Sequence, residues 1–279
     1  FRTLTPLQRP ADRGDQAQLT PEEIAEIEQN ARQSAIDADQ PSEVRTEPLP
    51  VGGNVGGYNN YWFDRGAGVV DGGRTALIVD PPDGRIPYTP EMREREKLQA
   101  VYRVGGARNS WVDVDTGERC LTDGVPMFWL GYNPNHQIVQ TPDHVMILTE
   151  MVHDARIIRM NREHRPDNIR NWMGDSVGHW EGDTLVVDTT HFNGQTWFDA
   201  AGNFHSDTLH VVERYTPTSS YHIDYEVTIE DPNVFTRPWT MRMPLYRRME
   251  EGLQLLDYDC VDFILQSLTR QGPEEGGAR

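Results

Sequence analysis

Short segments of alternating apolar and polar residues follow one another through most of the chain after residue 58. Residues 221–230 show this best, because apolar side chains at odd positions alternate with His, Asp, Glu and Thr at even positions. This is the period of a strand with one buried and one solvated face. The pattern predicts strands at 75–79, 137–141, 144–151, 155–160, 177–181, 184–190, 208–215, 221–230, 239–243 and 253–260. Such regular strands predict a mainly β fold, either an antiparallel β-barrel or a sandwich.

The first 50 residues are different, because they are polar and contain one aromatic residue, Phe1. Thr20 and Glu23 form a capping box around Pro21, which predicts a helix from Pro21 to Asp37. We therefore expect a helical arm and linker over 1–50, an antiparallel β domain over 51–270 and a flexible tail over 271–279. The apolar stripe of the helix is narrow, so the arm is expected to be dispensable for the core fold and able to contact a protein partner.

The composition of the chain limits the classes of partner and the cellular compartments that we expect. The net charge of −18 repels phosphate, so a nucleic-acid partner is not expected. No apolar run is long enough to span a membrane. The sequence begins at Phe1, which either a cleaved leader or a trimmed chain would explain. Cys120 and Cys260 predict one disulfide, with two buried thiols as the alternative. Together these features predict a periplasmic or extracellular protein.

The most distinctive segment is residues 172–190, which reads Trp-Met-Gly-Asp-Ser-Val-Gly-His-Trp-Glu-Gly-Asp-Thr-Leu-Val-Val-Asp-Thr-Thr. Residues 181–183 predict a tight hairpin turn between two strands. With further motifs, the segment resembles a family of exported bacterial proteins with which no reaction is associated. The companion motifs lie at 61–66, 80–87, 140–143, 205–207, 213–215 and 235–239. The resemblance covers about residues 58–260 and implies export.

One part of the family pattern is missing. Members end in a Cys-His-Glu-Gly-Asn run, whereas this chain has Cys-Val-Asp-Phe-Ile at 260–264. Any activity that used that His and Glu should be absent or altered. The Gly178-x-Trp180 pair also resembles that of lipocalin-type barrels. This second resemblance implies a lipocalin-like barrel with an aromatic side chain at one end.

Ionisable residues on otherwise apolar strands are the candidates for a site. Buried charges need partners or a ligand, because an unpaired one costs several kcal/mol. We predict acid–base catalysis by Glu150, His205 and Glu213. Ligand binding is assigned to Trp62, Asp64, Arg65, Trp180 and Arg214. We expect the charged residues and the histidine of these two sets to converge on one pocket.

Structural alternatives stand beside these assignments. The polar residues could form an ion-pair network around Arg65 and Arg214, and Glu150 could pair with Arg156 or Arg159. The even face of 221–230 could bind a metal, but a solvated outer face is favoured. Residues 174–178 match Gly-x-Ser-x-Gly, but a predicted strand follows rather than a helix, so we interpret Asp175 and Ser176 as capping a turn.

Other chemistry is not indicated. There is no organic cofactor motif, because no glycine fingerprint precedes a helix. The two cysteines are far apart and no histidine has zinc-site spacing, so no metal is expected. Three functions stay open: binding of a small molecule in a β-domain cavity, cofactor-independent hydrolase, lyase or isomerase chemistry, and a peripheral subunit of a cell-envelope complex. An apolar cavity would favour the first, and converging His, Glu and Arg side chains the second.

Overall fold

The computed structural model describes residues 3–38, 64, 66–95, 119–121, 125–126, 134–197 and 203–257. Within them the chain is mainly β, with the N-terminal helix α1 at Pro21–Ala38. The strands are β1 Ile78–Asp80, β2 His136–Gln140, β3 His144–Thr149, β4 Ala155–Met160, β5 Asp175–Glu181, β6 Thr184–Thr190, β7 His210–Pro217, β8 His222–Glu230 and β9 Trp239–Tyr246. Short 3-10 turns occupy Ala11–Arg13 and Met151–His153, and residues 90–95 are helical.

All nine strands belong to one sheet, in the order β1-β9-β8-β7-β6-β5-β4-β3-β2. β1 and β2 are its two edges, so the described sheet is open rather than closed into a barrel. The mainly β prediction is thereby confirmed. The predicted hairpin at 181–183 is also present, because Glu181 pairs with Thr184 and Gly182 has φ +61°.

One pair of strands departs from the antiparallel expectation. β4 and β5 run parallel, with Ile158 opposite Ser176. Parallel neighbours need a long connection, and residues 161–174 supply it by carrying the chain back along the sheet. The alternation of residues within a strand predicts which face of the sheet each side chain lies on. It does not predict whether the neighbouring strand runs parallel or antiparallel. The sheet is therefore mixed.

Alternation divides the sheet into a buried inner face and a polar outer face. On β8 the residues Tyr225, Val227 and Ile229 are buried, whereas the polar even positions are exposed or half-buried. The solvated outer face expected for this strand is confirmed. The inner face carries two hydrophobic clusters, one centred on Trp239 and one on Ile158, and Tyr215 packs against both.

The N-terminal segment makes more contacts with the rest of the chain than its polar composition indicates. The predicted capping box is present, since the N–H of Thr20 donates to Glu23 (2.8 Å) and the N–H of Glu23 donates to Thr20 (3.2 Å). Before the helix, the side chain of Arg9 is buried and donates to Thr75 Oγ1 (3.0 Å) and the carbonyl of Pro82 (2.9 Å). Residues 3–19 thus pack as part of the β domain near β1.

At the other end of the chain, residues 253–257 are described and are not a strand, in contrast to the strand predicted there. Instead of pairing with a strand, the backbone N–H of Leu256 donates to the buried carboxylate of Glu150 (3.1 Å). None of the helices within the described residues combines the length and apolar character needed to cross a membrane.

Candidate functional site

The distinctive segment 172–190 forms β5 and β6, and its glycines allow the close contacts that this requires. Gly174 has φ +69°, and a Cβ atom there would lie 2.5 Å from the carbonyl oxygen of Thr190. A Cβ on Gly178 would lie 2.8 Å from Ile158 of the parallel strand β4. The first glycine sets β5 against the end of β6, and the second sets it against β4.

Ser176 points to the inner face and joins a buried polar network. Arg156 donates from Nε to Ser176 Oγ (3.0 Å) and from Nη2 to Thr189 Oγ1 (2.7 Å). Both hydroxyls are buried and lie 3.0 Å from each other. The expectation that Asp175 and Ser176 cap a turn is wrong, since both residues begin strand β5. Ser176 is committed to the guanidinium rather than exposed as a nucleophile.

Glu213 completes this network on β7. Arg156 Nη2 lies 2.5 Å from Glu213 Oε2, and the two side chains are only 2% and 1% exposed. The hydroxyls of Tyr215 and Tyr225 both donate to Glu213 Oε1 (2.8 Å each). Burial, followed by the charge of Glu213, raises the pKa of both tyrosines well above its ordinary value. The phenols therefore stay protonated and act as fixed hydrogen-bond donors.

Asp175 points to the outer face, into a second polar cluster. Arg159 donates to both of its oxygens (3.0 and 2.8 Å), and the N–H of Arg165 donates to Oδ2 (3.0 Å). His164 Nδ1 lies 3.1 Å from the same oxygen. Burial would raise the pKa of Asp175, but the bonds from Arg165 and His164 and the charge of Arg159 hold it below its ordinary value. The carboxyl group is therefore an anion at neutral pH.

The cluster continues along the outer face onto β6 and β7. Asp188 Oδ1 lies 3.2 Å from His164 Nε2 and 3.1 Å from His210 Nε2. The hydrogen bond to Asp188 raises the pKa of His210 above its ordinary value. His191 follows β6 with φ +58°, and its Nε2 lies 2.8 Å from Asp167 Oδ1. Donor atoms of His164, Asp175 and His191 all lie within 4.8 Å of one another, so these three could hold a metal ion.

A large cavity of about 1220 Å³ lies on the inner face, at the end of the sheet where the β5–β6 and β7–β8 hairpins turn. Its apolar wall combines side chains from distant strands: Ile138, Ile147, Leu185, Tyr215, Ile223 and Leu245. Because β2 and β3 lie at one edge of the sheet and β8 and β9 near the other, the sheet must curve strongly to bring them around one space. Trp180 lines the cavity with 47% of its surface exposed.

The rim of this cavity is more polar than its wall. His136, His153 and His222 contribute to it from three separate elements, together with Arg247 and Arg248. Arg248 donates to Asn135 Oδ1 (3.2 Å), which fixes the segment after β9 against the start of β2. Arg247 makes no side-chain hydrogen bond or ion pair within the described residues. Its guanidinium is therefore available to an anionic group.

Two of the predicted catalytic residues are buried next to structural partners. Glu150 accepts bonds from Asn135 Nδ2 (3.2 and 3.1 Å), behind the wall of the cavity. Its proposed partners Arg156 and Arg159 pair with other carboxylates. His205 lies in the loop before β7, with Nε2 2.8 Å from Thr196 Oγ1. Burial lowers the pKa of His205 below its ordinary value, so the ring is neutral.

Glu213 and Arg214 do not converge. They are neighbours on β7, so their side chains point to opposite faces, and Arg214 pairs with Glu181 outside the sheet (2.7 Å). Asp64 accepts a bond from the backbone N–H of Gly66 (2.9 Å). The predicted residues Trp62 and Arg65, and the disulfide partner Cys260, lie outside the described residues. Trp180 is the described member of the predicted set that lines the cavity.

Sequence reasoning missed the outer cluster and most of the cavity. His164 and His191 lie in connections rather than strands, so alternation does not place them. A usable signal was present in the distinctive segment, because Asp175 and Asp188 are polar and occupy outward positions of β5 and β6. Comparison of the chain with protein-family models, curated proteins and solved structures found no match.

Proposed function

We propose that this is an exported protein that binds a small molecule, with an aromatic or apolar body, in the cavity at the hairpin end of the sheet. The observation that carries the proposal is the cavity itself. Its volume of about 1220 Å³ exceeds what most drug-sized ligands need, and its lining combines many apolar and aromatic side chains with a smaller set of polar groups. A large apolar surface that is exposed to water is typical of a binding site rather than of a hydrophobic core.

The residues around the cavity also favour one kind of ligand. Trp180 and Tyr215 offer flat apolar faces, onto which an aromatic ring or the apolar face of a sugar can pack. At the rim, Arg247 offers a guanidinium without a partner in the described chain. A guanidinium favours bidentate contact with a carboxylate. A compound with a ring and an acidic group fits both features.

Binding is favoured over catalysis by the placement of the ionisable groups. Glu150, His205 and Glu213 are buried and do not contribute to the cavity wall. The cavity histidines stand on the rim, on separate elements, where they can hydrogen bond to a ligand.

A fluorescence titration tests this proposal. The probe is 1-anilinonaphthalene-8-sulfonate, which combines aromatic rings with an anionic group. We expect saturable binding of one probe per chain, with energy transfer from Trp180. The variant Trp180→Ala should weaken binding about 5- to 150-fold, because about 1–3 kcal/mol of aromatic packing is lost.

Trp172 supplies the matched control. It is 39% exposed, similar to Trp180 at 47%, but it does not line the cavity. Trp172→Ala should therefore leave the dissociation constant unchanged, whereas Arg247→Gln should weaken binding of the sulfonate. Equal losses in the two tryptophan variants, or a probe that does not saturate, would show that the binding is nonspecific. Thermal-shift screening of aromatic carboxylic acids then identifies better ligands.

A further inference from the structure

The outer cluster contains two histidines and one carboxylate that meet although they are far apart in sequence. His164 belongs to the connection before β5, Asp175 begins β5, and His191 follows β6. We propose that these three side chains bind one divalent transition-metal ion on the outer face of the sheet. The proposal is independent of the cavity, which lies on the opposite face.

The donor atoms of the cluster and the distances between them suit a divalent metal ion. Two imidazoles and a carboxylate are ligands that zinc and neighbouring divalent metals accept. Ligand atoms about 2.0–2.2 Å from a tetrahedral zinc lie roughly 3.4 Å from each other. His164 Nδ1 and Asp175 Oδ2 are 3.1 Å apart, and all three donors lie within 4.8 Å. Metal binding therefore requires the donors that are farthest apart to close to roughly 3.4 Å, with one position left for water.

The two histidines of the cluster also have carboxylate partners of the kind that orient metal ligands. A histidine that binds metal through one ring nitrogen usually donates the other N–H to a carboxylate or carbonyl, which fixes its tautomer. His164 has its Nε2 3.2 Å from Asp188, and His191 has its Nε2 2.8 Å from Asp167. His164 Nδ1 then faces Asp175, whereas His191 Nδ1 lies 3.1 Å from Thr190 Oγ1 and would exchange that contact for the metal. Asp188 and Asp167 are thus placed to fix the two rings, as the carboxylate partners of metal-binding histidines do.

Charge is the main argument against a cation here, because Arg159 and Arg165 both lie within 4.0 Å of Asp175. Three nearby carboxylates offset them: Asp175 itself, Asp188 and Asp167. The whole chain is acidic, with a net charge of −18, which favours a bound cation further. The two bonds from Arg159 then orient the carboxylate of Asp175, as hydrogen-bonded metal ligands require.

Zinc titration of the full chain without a polyhistidine tag tests the proposal. The protein is first treated with a chelator and then titrated with Zn²⁺ against a chromophoric indicator. We expect one tight site. His164→Gln and His191→Gln should each lower its affinity at least 100-fold, and Asp188→Asn should lower it 10- to 100-fold, because it removes only the partner of a ligand.

His179→Gln is the matched control. His179 lies on the same outer face and pairs with Glu181, outside the proposed ligand set (3.2 Å). Unchanged affinity in this variant, with losses in the others, supports the site. Absence of a one-to-one site, or equal loss in His179→Gln, overturns it. If the ligand variants do not fold, Co²⁺ added to the unmodified protein gives the answer: bands of four- or five-coordinate cobalt support the site, and an octahedral aqua-like spectrum overturns it.

Discussion

Glu213 gives the most informative perturbation, because it joins a guanidinium and two phenols in the interior of the sheet. Replacing it with Gln keeps an oxygen that can accept from Tyr215 and Tyr225. The new amide N–H₂, however, faces the guanidinium of Arg156, so two donors oppose each other. The change also leaves Arg156 as an uncompensated charge whose side chain is 2% exposed.

Breaking a buried ion pair by removing one partner costs about 3–5 kcal/mol. For a chain of this size that corresponds to a fall in melting temperature on the order of 10 °C. The next residue provides the comparison, since Arg214 pairs with Glu181 on the outer face with side chains 37% and 50% exposed. Exposed pairs contribute about 0–1 kcal/mol, so Arg214→Gln should change stability little.

Urea unfolding followed by tryptophan fluorescence and circular dichroism measures both variants. The double variant Arg156→Gln with Glu213→Gln should lose less than the sum of the single variants, because the two residues are coupled. If Glu213→Gln costs less than about 1 kcal/mol, the buried pair does not stabilise the fold as we argue. If it also abolishes probe binding in the cavity, Glu213 acts on the ligand and its assignment as a structural residue is wrong.

Other parts of the chain give further predictions. Gly174→Ala should destabilise the protein more than Gly182→Ala. A positive φ costs either alanine about 1–2 kcal/mol, but of the two only the Cβ at position 174 would contact other atoms. Equal losses of stability in urea unfolding would show that this contact relaxes. Burial lowers the pKa of His205, so the unfolded chain takes up one more proton than the folded chain as the pH falls through about 6.5. The free energy of unfolding should therefore fall there by no more than about 1.4 kcal/mol per pH unit. His205→Gln should remove this part of the pH dependence of stability. Deleting residues 1–19 should lower the unfolding midpoint, because Arg9 is bonded to Thr75 and Pro82; an unchanged midpoint would support the dispensable arm that the sequence predicts.

The sequence predicts those features that depend on local chemistry. The capping box at Thr20, the hairpin turn at Gly182 and the faces of β8 follow from neighbouring residues, and the structure contains all three. The parallel pairing of β4 with β5 depends on a connection whose path is not encoded in alternation. The contacts of the N-terminal segment are likewise not encoded in its local pattern, since Arg9 bonds to Thr75, which lies far along the chain.

The candidate site was less predictable, although one error was avoidable. Glu213 and Arg214 are adjacent on a strand, so the two-residue period already excludes a shared pocket. His164 and His191 could not be found in this way, because long-range pairing of β5 and β6 brings them together. Trp180 lines the cavity because its alternation with Gly178 places it on the inner face at the end of β5.

The distinctive segment has a physical explanation that separates fold from function. Its polar residues come in consecutive pairs, Asp175 with Ser176 and Asp188 with Thr189, so one member of each pair faces the outer cluster and the other the buried network. Each of these side chains has a structural partner, and a change in any of them disturbs packing on one face. Such a motif is therefore strongly constrained whatever the protein binds. Under the proposed function, the choice of ligand would be set instead by the cavity wall, to which this segment contributes Trp180.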